Sequence, residues 1–327
     1  MSTTELTALN EAVLEEALRG LSATPKTLSP WLFYDERGSH LFDAITELPE
    51  YYLTRTESGI FADNASAIRE LMSHGNPHGT TTIAELGAGS AGKTGILLAE
   101  FAAHQADVLY QPIDVSATAL EDAAASIAEK IPSVRTQPQV ANYITERYKI
   151  TRPDDAKVLA LYIGSSIGNF SPEDSVAILR NLRAHLEADD VLLLGVDLAP
   201  GKQKTTDSLL AAYDDAAGVT AEFNKNVLAR LNRELNANFS LDCFVHRARW
   251  NASASRMEMH LESLVDQTVI IEGHTFHFHA GETIHTECSY KFTEARLHQL
   301  LTDSGFALER ELHDAHDKFS VVLARAV

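Results

Sequence analysis

T-T-I-A-E-L-G-A-G-S-A-G-K-T, Thr81 to Thr94, is the stretch on which the fold turns. It opens as a short apolar run, the texture of a strand buried on both faces. It closes as a glycine turn, where a backbone without Cβ atoms can bend sharply and come close to a ligand. Residues 94 to 104 are expected to continue as a helix, whose first amides point at whatever lies over the turn. Outward from this unit the same alternation repeats. Val108 to Val115 reads as a second strand with Asp114 near its end, Ser116 to Lys130 as an alanine-rich helix, and Lys157 to Ile163 as a strand. Pro172 to Leu186 then reads as a helix and Val191 to Val196 as a strand. Nearly continuous apolar strands alternating with helices predict a parallel sheet covered on both faces.

On either side the texture differs. Residues 1 to 20 carry helical periodicity, with Leu6, Leu9, Val13, Ala17 and Leu18 near one stripe. Thr24 to Asp35 and Leu48 to Glu57 read as ordered loops rich in aromatic residues. After Lys202 come a long helical stretch, Asp207 to Leu235, and then strands joined by turns, M-E-M-H-L-E-S-L-V and T-V-I-I-E-G-H-T-F-H-F-H. From Phe292 the chain is expected to return to the first sheet, through a helix stopped at Gly305 and a closing strand F-S-V-V-L-A-R-A. The expected architecture is therefore α/β, a Rossmann-like core interrupted by an inserted α+β domain. The core takes residues 58–201 and 290–327, and the second domain takes 1–57 and 202–289.

Composition narrows the partners. Of the 327 residues, 45 % are hydrophobic, enough for a sizeable core. The 46 acidic and 27 basic side chains give a formal charge of −19, which repels phosphate backbones and anionic lipid. A small-molecule substrate is expected, with no nucleic acid and no membrane as partner, and a monomer. No apolar run approaches the ~20 residues of a membrane helix. M-S-T-T-E-L-T lacks the basic and apolar parts of a secretory signal, and Cys243 and Cys288 make no disulfide framework, so a reduced cytoplasmic setting is expected.

Gly87, Gly89 and Gly92 satisfy G-x-G-x-x-G, which suits two ligands. A nicotinamide dinucleotide would lay its pyrophosphate over the turn. S-adenosylmethionine would lay its methionine end there. Asp114 could bond the ribose hydroxyls in either case. Methyl transfer is favoured on three counts. Glu85 stands two residues before Gly87, as in the E/D-x-G-x-G pattern of class I methyltransferases. Lys93 follows the turn, where it could meet a methionine carboxylate. The final helix, S-G-F and last strand resemble the reversed closing hairpin of that fold. No hydride-transfer constellation is evident.

Six further segments carry a more specific likeness: F-Y-D-E-R-G-S-H-L-F-D from Phe33, L-P-E-Y-Y-L-T-R-T-E from Leu48, G-S-S-I-G-N-F from Gly164, A-Y-D-D-A-A-G-V-T-A-E-F-N-K-N from Ala212, R-M-E-M-H-L from Arg256 and T-E-C-S-Y-K-F from Thr286. In order along nearly the whole chain, they resemble the histidine Nα-methyltransferases of ergothioneine biosynthesis. The resemblance implies Nα-methylation of L-histidine to the trimethyl betaine hercynine. Related fungal enzymes that methylate a prenylated tryptophan leave another aromatic amine open as the substrate.

On the cofactor side the resemblance implies Gly87, Gly89, Lys93 and Asp114, with Asn142 and Tyr143 at the adenine. There the family has an aspartate where this chain has Asn142, whose carbonyl can still accept from the adenine amine. On the substrate side it implies Asn169 and Tyr213 for the amino-acid carboxylate, and Glu287 and Ser289 for the imidazole, with Tyr51 nearby and Gly164 in the same loop as Asn169. Met259 is implied as the apolar wall, and Tyr34 and Phe42 as partners of the methylated ammonium. Taken singly, each has a plainer reading: Asn169 as a turn residue, Tyr213 as core, Glu287 as an exposed carboxylate. His274, His277, His279 and His285 invite a metal reading, but no ligand set is evident beside them and no metal is expected.

Overall fold

A computed structural model describes residues 3–73, 80–89, 91–144, 146–153 and 156–327. Leu6 and Leu9 lie outside the residues whose side chains are described. The chain divides into two compact units, each made of two segments: residues 1–52 with 205–289, and residues 53–204 with 290–327.

The second of these units holds an eight-stranded sheet. Its order is Phe306–His313, Phe319–Ala326, Val191–Asp197, Lys157–Tyr162, Thr81–Leu86, Val108–Asp114 and Val134–Thr136, with Gln139–Val140 also paired to Val108–Asp114. Thr81–Leu86 is parallel to both of its neighbours, and Lys157–Tyr162 is parallel to Val191–Asp197. Phe319–Ala326 runs antiparallel to Val191–Asp197, with Phe319 opposite Asp197. The central strands are buried along their whole length, as their largely apolar sequence predicts. This is the Rossmann-like sheet expected from the sequence, with its last strand reversed.

The chain builds outward from Thr81–Leu86 to one side and then returns to build on the other. The reversal creates a crevice at the carboxyl ends of Thr81–Leu86 and Lys157–Tyr162, where sheets of this kind bind ligands. Gly87 and Gly164 stand at those two ends. The helix Leu53–Ser73 buries Leu53, Glu57, Ile60, Phe61, Ile68 and Met72 along one stripe. It packs against the helix Thr94–His104 and the strands Val191–Asp197 and Phe319–Ala326. The first turn of this helix takes up the second half of the stretch expected to be a loop ending at Glu57. An acid in an otherwise apolar stripe hid the periodicity.

The other unit is α+β. A four-stranded sheet orders Lys26–Thr27, Thr283–Tyr290, Arg256–Ser263 and Phe244–Asn251, and Gln267–Ile271 pairs with His274–Phe278 as a separate hairpin. The helix Val219–Leu235 packs on Phe244–Asn251 and Arg256–Ser263 with one side and meets the helix Glu36–Thr46 with another. The single helix expected over Asp207 to Leu235 is two, Thr206–Tyr213 and Val219–Leu235. Asp215 breaks it: its carboxylate accepts from the amides of Val219 and Thr220 at 3.0 and 2.7 Å and starts the second helix.

Candidate functional site

In the unit with the large sheet, the glycine turn is drawn tight where its strand ends. Gly87 has φ 67° and donates its amide to the Ile113 carbonyl at 2.8 Å. A Cβ there would come within 3.2 Å of the Tyr143 hydroxyl, so only glycine keeps both the backbone turn and the space above it. The Gly89 amide reaches Asp114 Oδ2 at 3.4 Å, and Ser116 N donates to Oδ1 at 2.9 Å. Asp114 is thus held at the rim of the turn as an acceptor with lone pairs to spare.

Beneath the turn lies Glu85, fully buried, accepting from Thr94 Oγ1 at 2.7 Å and from the Tyr110 hydroxyl. Burial raises its pKa to about 7 against the pull of these two bonds. Lys93 pairs with Glu57, whose two oxygens also accept from the Gly164 amide at 2.9 and 3.0 Å. Glu57 is 0 % exposed. Gly195 leaves it room, since a Cβ there would fall 1.9 Å from Glu57 Oε1. One carboxylate therefore ties the residue after the glycine turn to the loop after Lys157–Tyr162. Nothing in the sequence reading marked Glu57 beyond its place in T-R-T-E.

Tyr143 lies edge-on to Tyr162, ring centroids 5.8 Å apart, and burial pushes its pKa up to about 12. Asn142 Oδ1 accepts from the Ile144 amide at 3.1 Å, which orders the local turn and leaves one lone pair. Asn169 closes the short helical turn Ser166–Asn169, half-buried, after Gly164 and Ser165 take left-handed backbone at φ 76° and 57°.

In the α+β unit the residues singled out from sequence draw together around Tyr213. Its hydroxyl donates to Ser289 Oγ at 2.9 Å. Its ring meets that of Tyr51 edge-on at 6.5 Å. Tyr51 meets Phe42 at 6.4 Å, and Phe42 meets Tyr34 at 5.9 Å. These aromatic rings form one run, with Phe223, unmarked by the sequence reading, against both Tyr34 and Phe42. Met259 is buried on the strand Arg256–Ser263, and Glu287 is half-buried two residues from Ser289.

The strand Thr283–Tyr290 does not alternate strictly. Thr286 bonds Asn224 and Ser289 bonds Tyr213, so positions three apart face the helices. His285 and Cys288, also three apart, meet each other at 3.3 Å. Side chains three apart share a face only if the two-residue period slips by one, as at a β-bulge.

Behind Tyr213 is a buried polar circuit. The Tyr213 carbonyl is 2.8 Å from His246 Nε2, and His246 Nδ1 is 2.8 Å from Asn224 Nδ2. Asn224 Nδ2 also donates to the His260 carbonyl at 3.1 Å, and Asn224 Oδ1 accepts from Thr286 Oγ1 at 2.7 Å. Apart from Tyr213, none of these residues was marked on chemical grounds. Asn224 was legible only as part of the A-E-F-N-K-N segment.

Of the four histidines that invited a metal reading, His285 stacks on His260 with ring centroids 4.7 Å apart, and His260 Nε2 lies 3.2 Å from Glu258. Glu258 is also held by Arg256 at 2.6 Å, and candidate ligand atoms of Glu258, His260 and His285 lie within 4.8 Å of one another, a grouping that the sequence reading did not find. Among the described residues no helix is long and apolar enough to cross a membrane.

A family model described as histidine-specific methyltransferase, SAM-dependent, matches residues 13–326. The chain is 39 % identical over 318 residues to a histidine N-alpha-methyltransferase of Mycolicibacterium smegmatis, covering 96 % of this chain and 95 % of that protein. It is 37 % identical over 319 residues to the protein of the same name from Mycobacterium tuberculosis, covering 96 % and 94 %. Among solved structures, an S-adenosylmethionine-dependent methyltransferase from Clostridium acetobutylicum is similar at 12 % identity and a TM-score of 0.48, over 88 % of this chain and 98 % of that one.

Proposed function

The chain belongs to the histidine-specific, S-adenosylmethionine-dependent methyltransferase family, and from that premise we propose that it methylates the α-amine of L-histidine, ending at the trimethyl betaine hercynine of ergothioneine biosynthesis. Its cofactor is S-adenosylmethionine. One observation carries the reading furthest. The family match runs through residues 13–326, so it covers the segments that hold Tyr213, Glu287 and Ser289 as well as the glycine turn. The acidic surface and the absence of a membrane-length helix among the described residues support a cytoplasmic enzyme that works as a monomer on a small molecule and avoids nucleic acid.

The residues of the turn fit the cofactor. Gly87 keeps open the space a side chain would fill, and the carboxylate of Asp114 suits a pair of ribose hydroxyls. Lys93 has three donor hydrogens, so its bond to Glu57 leaves others for a methionine carboxylate. Gly89 lies against the same rim. The spare lone pair of Asn142 and the ring of Tyr143 suit the adenine. When bound, the cofactor supplies a sulfonium methyl with a neutral leaving group.

What remains for the protein is alignment and exclusion of water. Asn169 and Tyr213 are neutral donors for the amino-acid carboxylate. Tyr213 has one hydroxyl hydrogen, given to Ser289 in this structure. Turning that hydrogen to the substrate lets Ser289 donate to the phenol oxygen and accept an imidazole N–H. Glu287 takes the other end of the ring, with Met259 as its apolar wall. Tyr51, Phe42 and Tyr34 present ring faces to the ammonium as methyl groups accumulate. Gly164 contributes backbone only, tied down by Glu57. The amine must be neutral to attack, and a cationic cofactor beside it lowers its pKa.

Incubation with isotopically labelled cofactor and each amino acid in turn, read by mass, is expected to give mono-, di- and trimethylated histidine. Methylated tryptophan with no methylated histidine would remove the substrate assignment. Glu287→Ala is expected to raise the KM for histidine at least tenfold, about 1.4 kcal/mol, with the Kd for S-adenosylhomocysteine unchanged. Equal loss of both would make Glu287 a structural residue.

A further inference from the structure

The circuit behind Tyr213 fixes the protons on Asn224 and His246. The Asn224 side chain faces the His260 carbonyl at 3.1 Å, so the atom there must be the amide nitrogen and not its oxygen. The same nitrogen is 2.8 Å from His246 Nδ1, which must then accept. A neutral imidazole that accepts at Nδ1 carries its hydrogen on Nε2, and that hydrogen points at the Tyr213 carbonyl 2.8 Å away. Asn224 Oδ1 is left to accept from Thr286 Oγ1 at 2.7 Å, the shorter of that hydroxyl's two contacts, the other being the Met259 carbonyl at 3.0 Å; Thr286 stands three residues before Ser289 on the strand that carries Glu287. The circuit closes on itself, since the Tyr213 hydroxyl reaches Ser289. Asn224 and His246 are both buried.

We infer that Asn224 is a positioning residue for histidine binding: it locks His246 in the Nε2–H tautomer, and through that ring and Thr286 it holds Tyr213 and Ser289 in register. Neither Asn224 nor His246 touches substrate. Their contribution is to hold the end of the helix Thr206–Tyr213 against the strand Thr283–Tyr290, so that the hydroxyls on either side meet the carboxylate and the ring of one amino acid. The inference rests on the proposed roles of Tyr213 and Ser289.

The charged groups around His246 are Asp214, whose carboxylate is 4.0 Å from Nε2, Asp215 on the same loop, and Arg247 on its own strand. The neighbouring strand offers the circuit the His260 backbone carbonyl. Burial lowers the His246 pKa, which keeps the ring neutral, the form the circuit needs.

Asn224→Asp reverses the proton logic. A carboxylate accepts only, so it draws a hydrogen onto His246 Nδ1. The donor on Nε2 then survives only while the ring is doubly protonated. As pH rises through the raised pKa of that ring, the Nε2 hydrogen is lost and two acceptors, Nε2 and the Tyr213 carbonyl oxygen, face each other. We expect the ratio of variant to wild-type KM for histidine to climb about tenfold from pH ~6 to pH ~9, the span across which an imidazole paired with a carboxylate titrates. The Kd for S-adenosylhomocysteine is expected to stay flat. A ratio raised equally at every pH, or unchanged at all, overturns the inference.

Imidazole nitrogen NMR of the wild-type protein is an independent arm that holds if the variant does not fold. It should show His246 with its hydrogen on Nε2, and a hydrogen on Nδ1 overturns the assignment. Tyr213→Phe separates the two levels. If it leaves the KM for histidine unchanged, the reading of Tyr213 as a substrate residue fails. If it raises the KM while the Asn224→Asp ratio stays flat with pH, the role given to Asn224 fails.

Discussion

Glu85 illustrates how much one side chain can say and how much it hides. Its place two residues before Gly87 was readable as a cofactor-turn motif. Its protonation was not, because that depends on burial and on Tyr110 and Thr94, which come from other elements. Its ordinary pKa of 4.5 is raised to about 7 in the folded protein. Between those values the folded state binds more proton than the unfolded one, so stability falls as pH rises through that window. Thermal denaturation at pH ~5 and pH ~7.5, either side of most of the window, is expected to show a smaller difference for Glu85→Gln than for wild type. An undiminished slope would assign the pH dependence to other groups. Glu57 is the opposite case. It lies in a helical stripe between Leu53 and Ile60, and a lone acid there counts against the apolar pattern. Only the fold reveals that the Gly164 amide and Lys93 are its partners.

Whole elements were more legible than their ends. The strands of the large sheet announced themselves by apolar runs, and the helices between them by alanine and leucine. The break between Thr206–Tyr213 and Val219–Leu235 was missed because both helices carry good helical residues up to the gap. The signals were present in D-D-A-A-G: a capping acid and a glycine. Gly218 takes φ 79° with nothing within 4 Å of where a Cβ would stand. Gly218→Ala therefore meets no clash and tests backbone strain alone, expected to cost about 1 kcal/mol in chemical denaturation. A loss several times larger would mean that the turn packs more tightly than its open surroundings indicate. The break in alternation along Thr283–Tyr290 was likewise out of reach of sequence. Strict alternation would separate Thr286 from Ser289, and only their bonds to Asn224 and Tyr213 show the slip. The site residues were therefore named by resemblance, while the mechanism that aims them came from the fold.

For the molecule as a whole, one buried carboxylate stands where the chain crosses between its two units. Asp197, at the end of Val191–Asp197, pairs with Lys204 and, at 2.8 Å, with Lys291, all three fully buried. Lys204 is the last residue of one segment of the large-sheet unit, and Lys291 is the second residue of the next. Burial pulls the Lys204 pKa down to about 8 despite the carboxylate beside it. Asp197→Asn would leave two ammonium groups buried without their counter-charge, and is expected to destabilise by about 3–5 kcal/mol. Calorimetry would read this as a lowered melting transition, and a near-neutral result would show that water reaches the lysines. The order of the sheet also bears on how the protein is made. Phe319–Ala326 seals the side of Val191–Asp197 away from Lys157–Tyr162, yet more than a hundred residues are synthesised between them. Until the later strand leaves the ribosome, V-L-L-L-G-V presents a bare, oily edge to water, the kind of surface that nascent chains most need chaperones to shield.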